Sequence, residues 1–375
     1  MKFSILLPTR NRLEYLRQAV ETVRRQSFAD WEVVVSDNDS EDDVAGFVGS
    51  LSDERVRYVR TERFVPVTDN WNNALAHASG EYVLMLGDDD GLVQGALAEL
   101  DRTIARFDGP DVVYSRTLQF AYPGVLPDYP KGYLGVAGIA SFFGDAEEPF
   151  VLARADALAA VHAAMRFELA YDYNMQFATF ARRLSRPGFF RSTFPDYYAM
   201  NLLFATARKI VVHPEPLTIV GVTPKSYGFY RANERAAEGA AMLATFEAGG
   251  PAGLPGDDIR AGWLAAAREL ERELGLPVDE ERLRLIRGFE AFEAFSQGRI
   301  TRGELMRHLR SLPLRSRLRV LATVAFFFVA SRPLSTDARL RLKWRLLRHI
   351  PNWNAQLVEG RYATLLEVFE RQPPW

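Results

Sequence analysis

The sequence predicts an α/β protein: a mostly parallel sheet with helices on both faces, followed by a C-terminal α-helical region. Three features carry that expectation. Short continuous apolar runs alternate with amphipathic helical stretches through residues 1–115, the order that gives parallel strands joined by crossover helices. Acid-rich or basic polar turns follow three of those runs. Beyond a Gly/Pro-rich stretch at 247–258 the chain reads as helical and Arg-rich to its end.

The elements follow in order. "FSILL" (Phe3–Leu7) is a continuous apolar run, as in a strand covered on both faces. A helix comes next, with Leu13, Leu16, Val20 and Val23 on one side, Asn11 as its cap and Glu14 three places on in a capping-box-like arrangement. "WEVVVS" (Trp31–Ser36) and "VRYVR" (Val56–Arg60) are strands. Residues 69–79 read as a helix, "YVLML" (Tyr82–Leu86) as a strand, 93–107 as a helix and "DVVYS" (Asp111–Ser115) as a strand. From about 120 to 230 the pattern loosens. "FAYPGVLPDYPKGYLG" suits a loop or edge hairpin, helices are expected at 154–165, at 172–184 and after Asp196, and "KIVVHPEPLTIVG" returns to strand character. The expected division is an α/β domain over 1–246, with halves 1–115 and 116–246, a linker at 247–258 and a helical region over 259–375. No internal repeat is visible.

Composition narrows the chemistry. The chain has 375 residues, 48% of them hydrophobic and 25% charged, as in ordinary soluble globular proteins. It has no cysteine, which excludes disulfides, zinc–thiolate sites and thiol nucleophiles, and its five scattered histidines argue against a His-rich metal site. The opening "MKFSILLPTRNR" is too short in apolar residues for a signal peptide, and no run reaches the ~18 apolar residues of a membrane span. A cytoplasmic address is expected. Charge is uneven: between Arg299 and Arg348, 13 basic residues face two acids, a net +11 that leaves −13 on the rest. Such a segment is suited to face something anionic.

In an open parallel sheet, ligands bind outside the carboxyl ends of the strands. Three polar clusters fall there: "PTRNR" (Pro8–Arg12), "SDNDSED" (Ser36–Asp42) and "GDDDG" (Gly87–Gly91). Alone, Asp88, Asp89 and Asp90 have two readings, a solvated turn with a helix N-cap or a group holding a hard divalent cation. Convergence of three clusters favours a site. No G-x-G-x-x-G follows the first strand, no P-loop is present, and "DDDGLVQGALAE" lacks the ligand spacing of an EF-hand. What remains is a carboxylate edge for Mg²⁺ or Mn²⁺ against a diphosphate, with another acid and an Arg-Asn turn for a nucleoside. That combination fits a sugar nucleotide, the metal offsetting charge on the departing nucleoside diphosphate.

The stretch "SILLPTRNRLEYLRQAVETVRRQSFADWEVVVSDNDSEDD", followed by "NWNNALAHASGEYVLMLGDDDGL", closely resembles the nucleotide-binding half of family 2 glycosyltransferases with the Rossmann-like GT-A fold. The resemblance covers roughly residues 2–110, weakens through about 230 and does not reach the last 120 residues. It implies that Pro8, Thr9, Arg10 and Asn11 cradle the nucleoside and that Asp37 binds a uracil or thymine edge. An Asp-x-Asp motif would hold metal and diphosphate. Here the family's first Asp is replaced by Gly87; Asp89 matches the retained metal ligand, with Asp88 or Asp90 as helpers.

Members usually transfer with inversion, by direct displacement assisted by one carboxylate base. Asp196 is the candidate, although it also reads as the N-cap of a helix starting at Tyr197; Asp172 and Glu168 are rivals. His213 reads as a late metal ligand or as a satisfied strand-end histidine, and Lys225 as a closing group over the diphosphate or a solvated lysine. Asn73 and Asn70 lie near the donor crevice, Asn70 equally a helix cap. The implied activity moves sugar from a UDP- or dTDP-sugar to a hydroxyl on a glycan or lipid-linked saccharide, with Mn²⁺ or Mg²⁺. The rival is a non-catalytic sugar-nucleotide-binding or scaffold protein. A nucleotidyltransferase would need a Gly-rich turn after strand one, which is missing.

The C-terminal segment carries a separate expectation. "VLATVAFFFVA" (Val320–Ala330) is 11 apolar residues, too short to span a bilayer, between Arg315, Arg317 and Arg319 on one side and Arg332 on the other. In "ARLRLKWRLLRHI", Arg341, Arg345 and Arg348 share one helical face and Leu340, Trp344 and Leu347 another. Docking on an anionic membrane face is expected, peripheral on the inner side of the plasma membrane, against packing inside the protein or homo-oligomer assembly. No nucleic-acid-binding module accompanies the charge.

Overall fold

The computed structural model describes residues 1–137, 140–169, 178–226, 229–230, 238, 241–242, 258–347 and 354–371. Its first half is built on β1 (Phe3–Thr9), β2 (Trp31–Asp37), β3 (Val56–Arg60) and β4 (Tyr82–Met85), parallel in the order β3-β2-β1-β4. Every residue of β1, β2 and β4 is buried, as the continuous apolar runs require of strands covered on both faces. The connecting helices are α1 (Leu13–Arg24), α2 (Val44–Ser50) and α3 (Val67–Ala76), and α4 (Ala96–Arg106) follows the two-residue β5 (Gly91–Leu92). The short α2 is not visible as a helical pattern in the sequence; Asp43 starts it by accepting the Gly46 N–H at 2.8 Å.

The second half adds β6 (Val112–Ala121), β7 (Tyr133–Ala137), α5 (Ala140–Phe143), β8 (Phe150–Val151), α6 (Arg154–Met165), β9 (Ala178–Ala181), α7 (Pro195–Thr206) and β10 (Ile210–Val222). The Pro/Gly-rich stretch forms the expected hairpin between β6 and β7. One expectation is corrected. Residues 178–181 of the helix foreseen at 172–184 form β9, antiparallel between β4 and β6. "ATFA" is buried on every residue there, and two flanking strands supply the ladder that local helix preference cannot offset. In β10 the register against β6 shifts between His213 and Thr218, where Pro214 and Pro216 lack N–H donors.

The described C-terminal helices are α8 (Asp258–Leu274), α9 (Glu280–Ser296), α10 (Arg302–Ser311), α11 (Leu314–Ala330) and α12 (Thr336–Leu347). Apart from Asp258, the linker expected at 247–258 lies outside the described residues. These helices share one apolar core with a face of the sheet, running from Leu6, Val34 and Val83 through Trp263 and Phe289 to Phe327 and Leu347. The chain then leaves the helical region. β11 (Asn354–Glu359) pairs antiparallel with β7, and α13 (Leu365–Glu370) packs beside α1 in the core of the opposite face. The expectation of one helical region from 259 to the end is therefore corrected: the last strand and helix return to the α/β sheet.

Candidate active site

β1 ends at Thr9, and the chain turns into α1 through Arg10, Asn11 and Arg12. Asn11 sits at a φ of 53°, a left-handed conformation that asparagine tolerates better than most residues. The foreseen capping box from Asn11 and Glu14 does not form, because the α1 N-cap position falls on Arg12, which makes no side-chain cap. The loop after β2 supplies the cap instead, Leu13 N–H donating to Asp42 Oδ2 at 3.0 Å. Asn11 N–H donates to Ser40 Oγ at 3.0 Å and Asn11 Oδ1 accepts from Glu41 N–H at 2.8 Å. The loops after β1 and β2 are thus stitched into one rim.

Asp37 closes β2, buried, with Oδ1 accepting Ser40 N–H (2.9 Å) and Oδ2 accepting Tyr58 Oη–H (2.9 Å) and Arg60 Nη1–H (3.2 Å). Three donors on a carboxylate leave about one of its four acceptor positions. Ser36, one residue earlier, donates to Asn70 Oδ1 (2.7 Å) and accepts from Asn73 Nδ2 (2.9 Å). Both asparagines lie inside α3, so Asn70 is no cap; they fasten α3 to the end of β2. At the outer edge, Arg10 stacks over the Phe64 ring at 3.8 Å.

The acid turn after β4 sends its three carboxylates in three directions. Asp88 accepts from Thr9 Oγ1 at 2.7 Å and from Arg12 Nη1 at 2.6 Å. Asp89 Oδ2 accepts from Arg12 Nη2 at 2.6 Å, from Thr223 Oγ1 at 3.3 Å and from Ser226 Oγ. Asp90 points back into the fold, its Oδ2 on Gly87 N–H (2.9 Å) and its Oδ1 on Gly221 N–H (2.8 Å). The repulsion between adjacent carboxylates is therefore relieved by an internal cation, Arg12, and by backbone dipoles. Burial pushes the Asp88 carboxyl up to about 6 while Arg12 pulls it down. Burial and the neighbouring Asp89 push Asp90 up to about 8. Burial works against the Arg12 charge, but Asp88 and Asp89 outweigh it and hold the guanidinium firmly protonated.

The same geometry explains Gly87. A Cβ there would stand 2.6 Å from Asp90 Oδ2 and 3.3 Å from Asp89 Oδ1, so a larger residue would dislodge Asp90 and crowd Asp89. Gly221 is needed more strictly, since a Cβ on it would lie 1.9 Å from the Asp89 carbonyl oxygen. Backbone cannot yield as a side chain does. Gly221→Ala should lower unfolding stability by about 3 kcal/mol or more, read as a shifted urea midpoint. A midpoint within experimental error of the wild type would contradict this packing.

A divalent ion meets a narrow donor set here. Among the described residues no cluster of three or more His, Asp or Glu could hold one. Both oxygens of Asp88 and both of Asp90 already receive hydrogen bonds; Asp89 Oδ1 receives none from the described residues, and Asp89 is the least buried of the three at 7% against 2% and 1%. One carboxylate oxygen, completed by substrate phosphate oxygens and water, suits Mg²⁺ or Mn²⁺. Asp89 fits that role. Asp90 does not, because both its oxygens serve the backbone.

His213 is corrected as well. It precedes Gly221 on β10 and pairs with Ser115 of β6 where Gly221 pairs with Phe120, five strand steps or about 17 Å away. Its buried ring sits between Glu99 Oε1 (3.2 Å at Nε2) and the Glu215 carbonyl (3.3 Å at Nδ1). Lys225, by contrast, arches back over the β1 rim, Nζ donating to the Asn11 carbonyl at 2.7 Å and lying 3.5 Å from Glu14. Asp196 is the second residue of α7, whose N-cap position falls on Phe194 rather than on Asp196 as expected, and its Oδ1 accepts the Tyr197 N–H at 2.9 Å. Glu168 is committed to Arg166 (3.0 Å) and Arg282 (3.6 Å). Asp172 lies outside the described residues; β9 begins at Ala178, one residue before the Thr179–Leu84 pair. Sequence reasoning assigned no role to Arg12, Thr223 or Ser226. Arg12 stood inside the quoted "PTRNR", but only the fold shows that it faces the acids.

Residues 4–133 match the model of glycosyl transferase family 2. The chain is 40% identical over 102 residues to a GalNAc(5)-diNAcBac-PP-undecaprenol beta-1,3-glucosyltransferase of Campylobacter jejuni, covering 26% of this chain and 33% of that protein. It is 32% identical over 87 residues to the UDP-Glc:alpha-D-GlcNAc-diphosphoundecaprenol beta-1,3-glucosyltransferase WfgD of Escherichia coli, covering 23% of this chain and 34% of that protein. The matched region thus spans about a third of the length of these relatives. A solved structure of S. aureus TarS 1-349 with UDP-GlcNAc aligns over 93% of this chain and 90% of that one, at 16% identity and a TM-score of 0.48, a likeness too low to carry an argument. The first strands, the Asp37 rim and the Asp88–Asp90 turn lie in the region that matches glycosyl transferase family 2.

Proposed function

We propose that this protein is an inverting glycosyltransferase, moving a sugar from a UDP- or dTDP-sugar to a hydroxyl of a saccharide or lipid-linked saccharide. The observation that carries the reading is the convergence of Thr9, Arg12, Asp88, Asp89, Thr223 and Ser226 at the carboxyl edge of a parallel sheet. A glycine at 87, where the family has its first Asp, is the sequence feature that supports a protein without catalysis. Its position against Asp90 gives it a packing reason instead, so the rival keeps no specific support.

In this reading the nucleoside lies against the rim of Pro8, Thr9, Arg10 and Asn11, with Asp37 at the base edge and Asn73 bracing the end of β2. Asp89 Oδ1 would hold Mn²⁺ or Mg²⁺, which when bound supplies Lewis-acid stabilisation of the diphosphate. Arg12 orients Asp88 and Asp89, and Lys225 adds positive charge beside the same edge. Asp196 takes the proton of the acceptor hydroxyl while the hydroxyl oxygen bonds to the anomeric carbon, and the bond from that carbon to the diphosphate breaks on the opposite side. The lipid-linked acceptor is supported by the relatives' names, both of which specify undecaprenol diphosphate saccharides. Such an acceptor would place the reaction at the inner face of the plasma membrane. Among the described residues no helix is long and apolar enough to cross a membrane.

The test is release of nucleoside diphosphate from a panel of nucleotide sugars, with and without Mn²⁺ and a saccharide acceptor. Turnover of at least one donor is expected. Binding without any turnover would favour the scaffold reading, and neither binding nor turnover would remove both.

A further inference from the structure

We propose that the outer face of α11 docks on an anionic lipid surface and lies in the plane of the bilayer interface. It extends the lipid-linked acceptor reading, yet its test needs neither donor nor acceptor, so the two fail separately. One side of α11 is ordinary core: Val320, Val324 and Phe327 are buried, with the Phe327 ring 5.1 Å from Phe289 of α9. The opposite side is also apolar and faces solvent. Leu314, Leu318, Leu321 and Val329 follow one another at helical spacing, with Phe326 and Phe328 flanking them. Eleven large apolar side chains are exposed among the described residues, and six of them are on this helix. Leu314 and Val329, at its two ends, are 66% and 65% exposed. A clustered apolar face of this kind marks an interaction site more often than isolated exposed residues do.

Charge decides between occupants. Arg315 shares the outward side near the start of α11, and exposed Arg332 stands just beyond its end. Arg315 and Arg319 both approach Glu281, at 4.0 and 2.9 Å, so that acid offsets one of the two. Directly before α11, the exposed side of α10 lines an open recess of ≈ 580 Å³ with Arg302, Met306, Arg307 and Arg310. A second copy of the chain would bring an equally basic segment against this one, which like-charge repulsion opposes. An anionic bilayer accepts both components, apolar side chains below the headgroups and arginines among them. Of the two helices expected to share this part, α12 contributes differently. Its Leu347 is buried in the core, while Arg341 and Arg345 are exposed.

The experiment is co-sedimentation of the full chain with phosphatidylglycerol-containing vesicles and with neutral phosphatidylcholine vesicles. Binding to the anionic vesicles is expected, weakening as salt is raised. Arg302→Gln with Arg307→Gln and Arg310→Gln should cost about 100-fold in affinity, from about fivefold per arginine near a charged surface. Leu318→Glu with Val329→Glu should remove binding. All five positions are exposed, so an unchanged circular dichroism melt is expected for both variants. Equal, negligible binding to both vesicle types would overturn the proposal, as would binding that survives Leu318→Glu with Val329→Glu. A dimer in sedimentation velocity that this double change dissociates would assign the face to a second copy instead.

Discussion

Asp89→Asn should lower kcat/KM for sugar transfer by about 10³, equivalent to about 4 kcal/mol of transition-state stabilisation. Among the described residues, Asp89 Oδ1 is the one side-chain carboxylate oxygen of the acid turn that receives no hydrogen bond, and in the proposed reading the donor diphosphate needs a cation there. The variant keeps an oxygen in place for Arg12, Thr223 and Ser226, so folding should survive. Mn²⁺-dependent donor binding should weaken together with turnover. The comparison that separates cause from proximity is Asp90→Asn, which alters an inward-facing group bonded to Gly87 and Gly221. It should change stability more than metal dependence. Released nucleoside diphosphate reads both variants, and unchanged turnover in Asp89→Asn would remove Asp89 from the reaction.

Asp196→Asn should reduce transfer by about 10²–10⁴ while leaving nucleotide-sugar binding intact, the range expected when a positioned base is lost. The first-turn position makes the substitution discriminating. Asparagine retains an acceptor for the Tyr197 N–H, so a purely structural Asp196 would lose little. If transfer persists in Asp196→Asn, the residue serves the start of α7 alone, and Asp172→Asn becomes the next variant to assay. Glu168 is a poorer candidate, since Arg166 and Arg282 already neutralise it.

The parallel strands were legible because burial on both faces demands continuous apolar runs, and β1, β2 and β4 have them. The carboxyl edge was legible for a related reason: polar clusters have nowhere else to go when three core strands end in phase. β9 was not, because four buried residues, Ala-Thr-Phe-Ala, carry no decisive period and only the ladders from β4 and β6 select a strand. The return of residues 354–371 depends on pairing with β7 and packing on α1, contacts of long sequence separation that leave no local mark. Within the site, composition exposed the acids but not their directions. Asp88, Asp89 and Asp90 are chemically alike, yet Gly87 and Gly221 turn one of them inward. Arg12 had no role assigned from the sequence; its place between Asp88 and Asp89 follows from the pairing of β1 with β4. His213 was placed in the site by residue type, but its position on β10 puts it beside Glu99.

The most direct measurement is thermal unfolding of the wild type and Asp89→Asn with a panel of UDP- and dTDP-sugars, each with and without Mn²⁺. A ligand that binds only the native state at about 100 times its Kd adds about 2.7 kcal/mol, or about 3 °C for a chain of this size. The expected result is such a rise for at least one nucleotide sugar in the wild type, dependent on Mn²⁺ and lost in Asp89→Asn. A flat response to every nucleotide sugar, or an equal Mn²⁺-dependent rise in both proteins, would contradict a donor site built around Asp89.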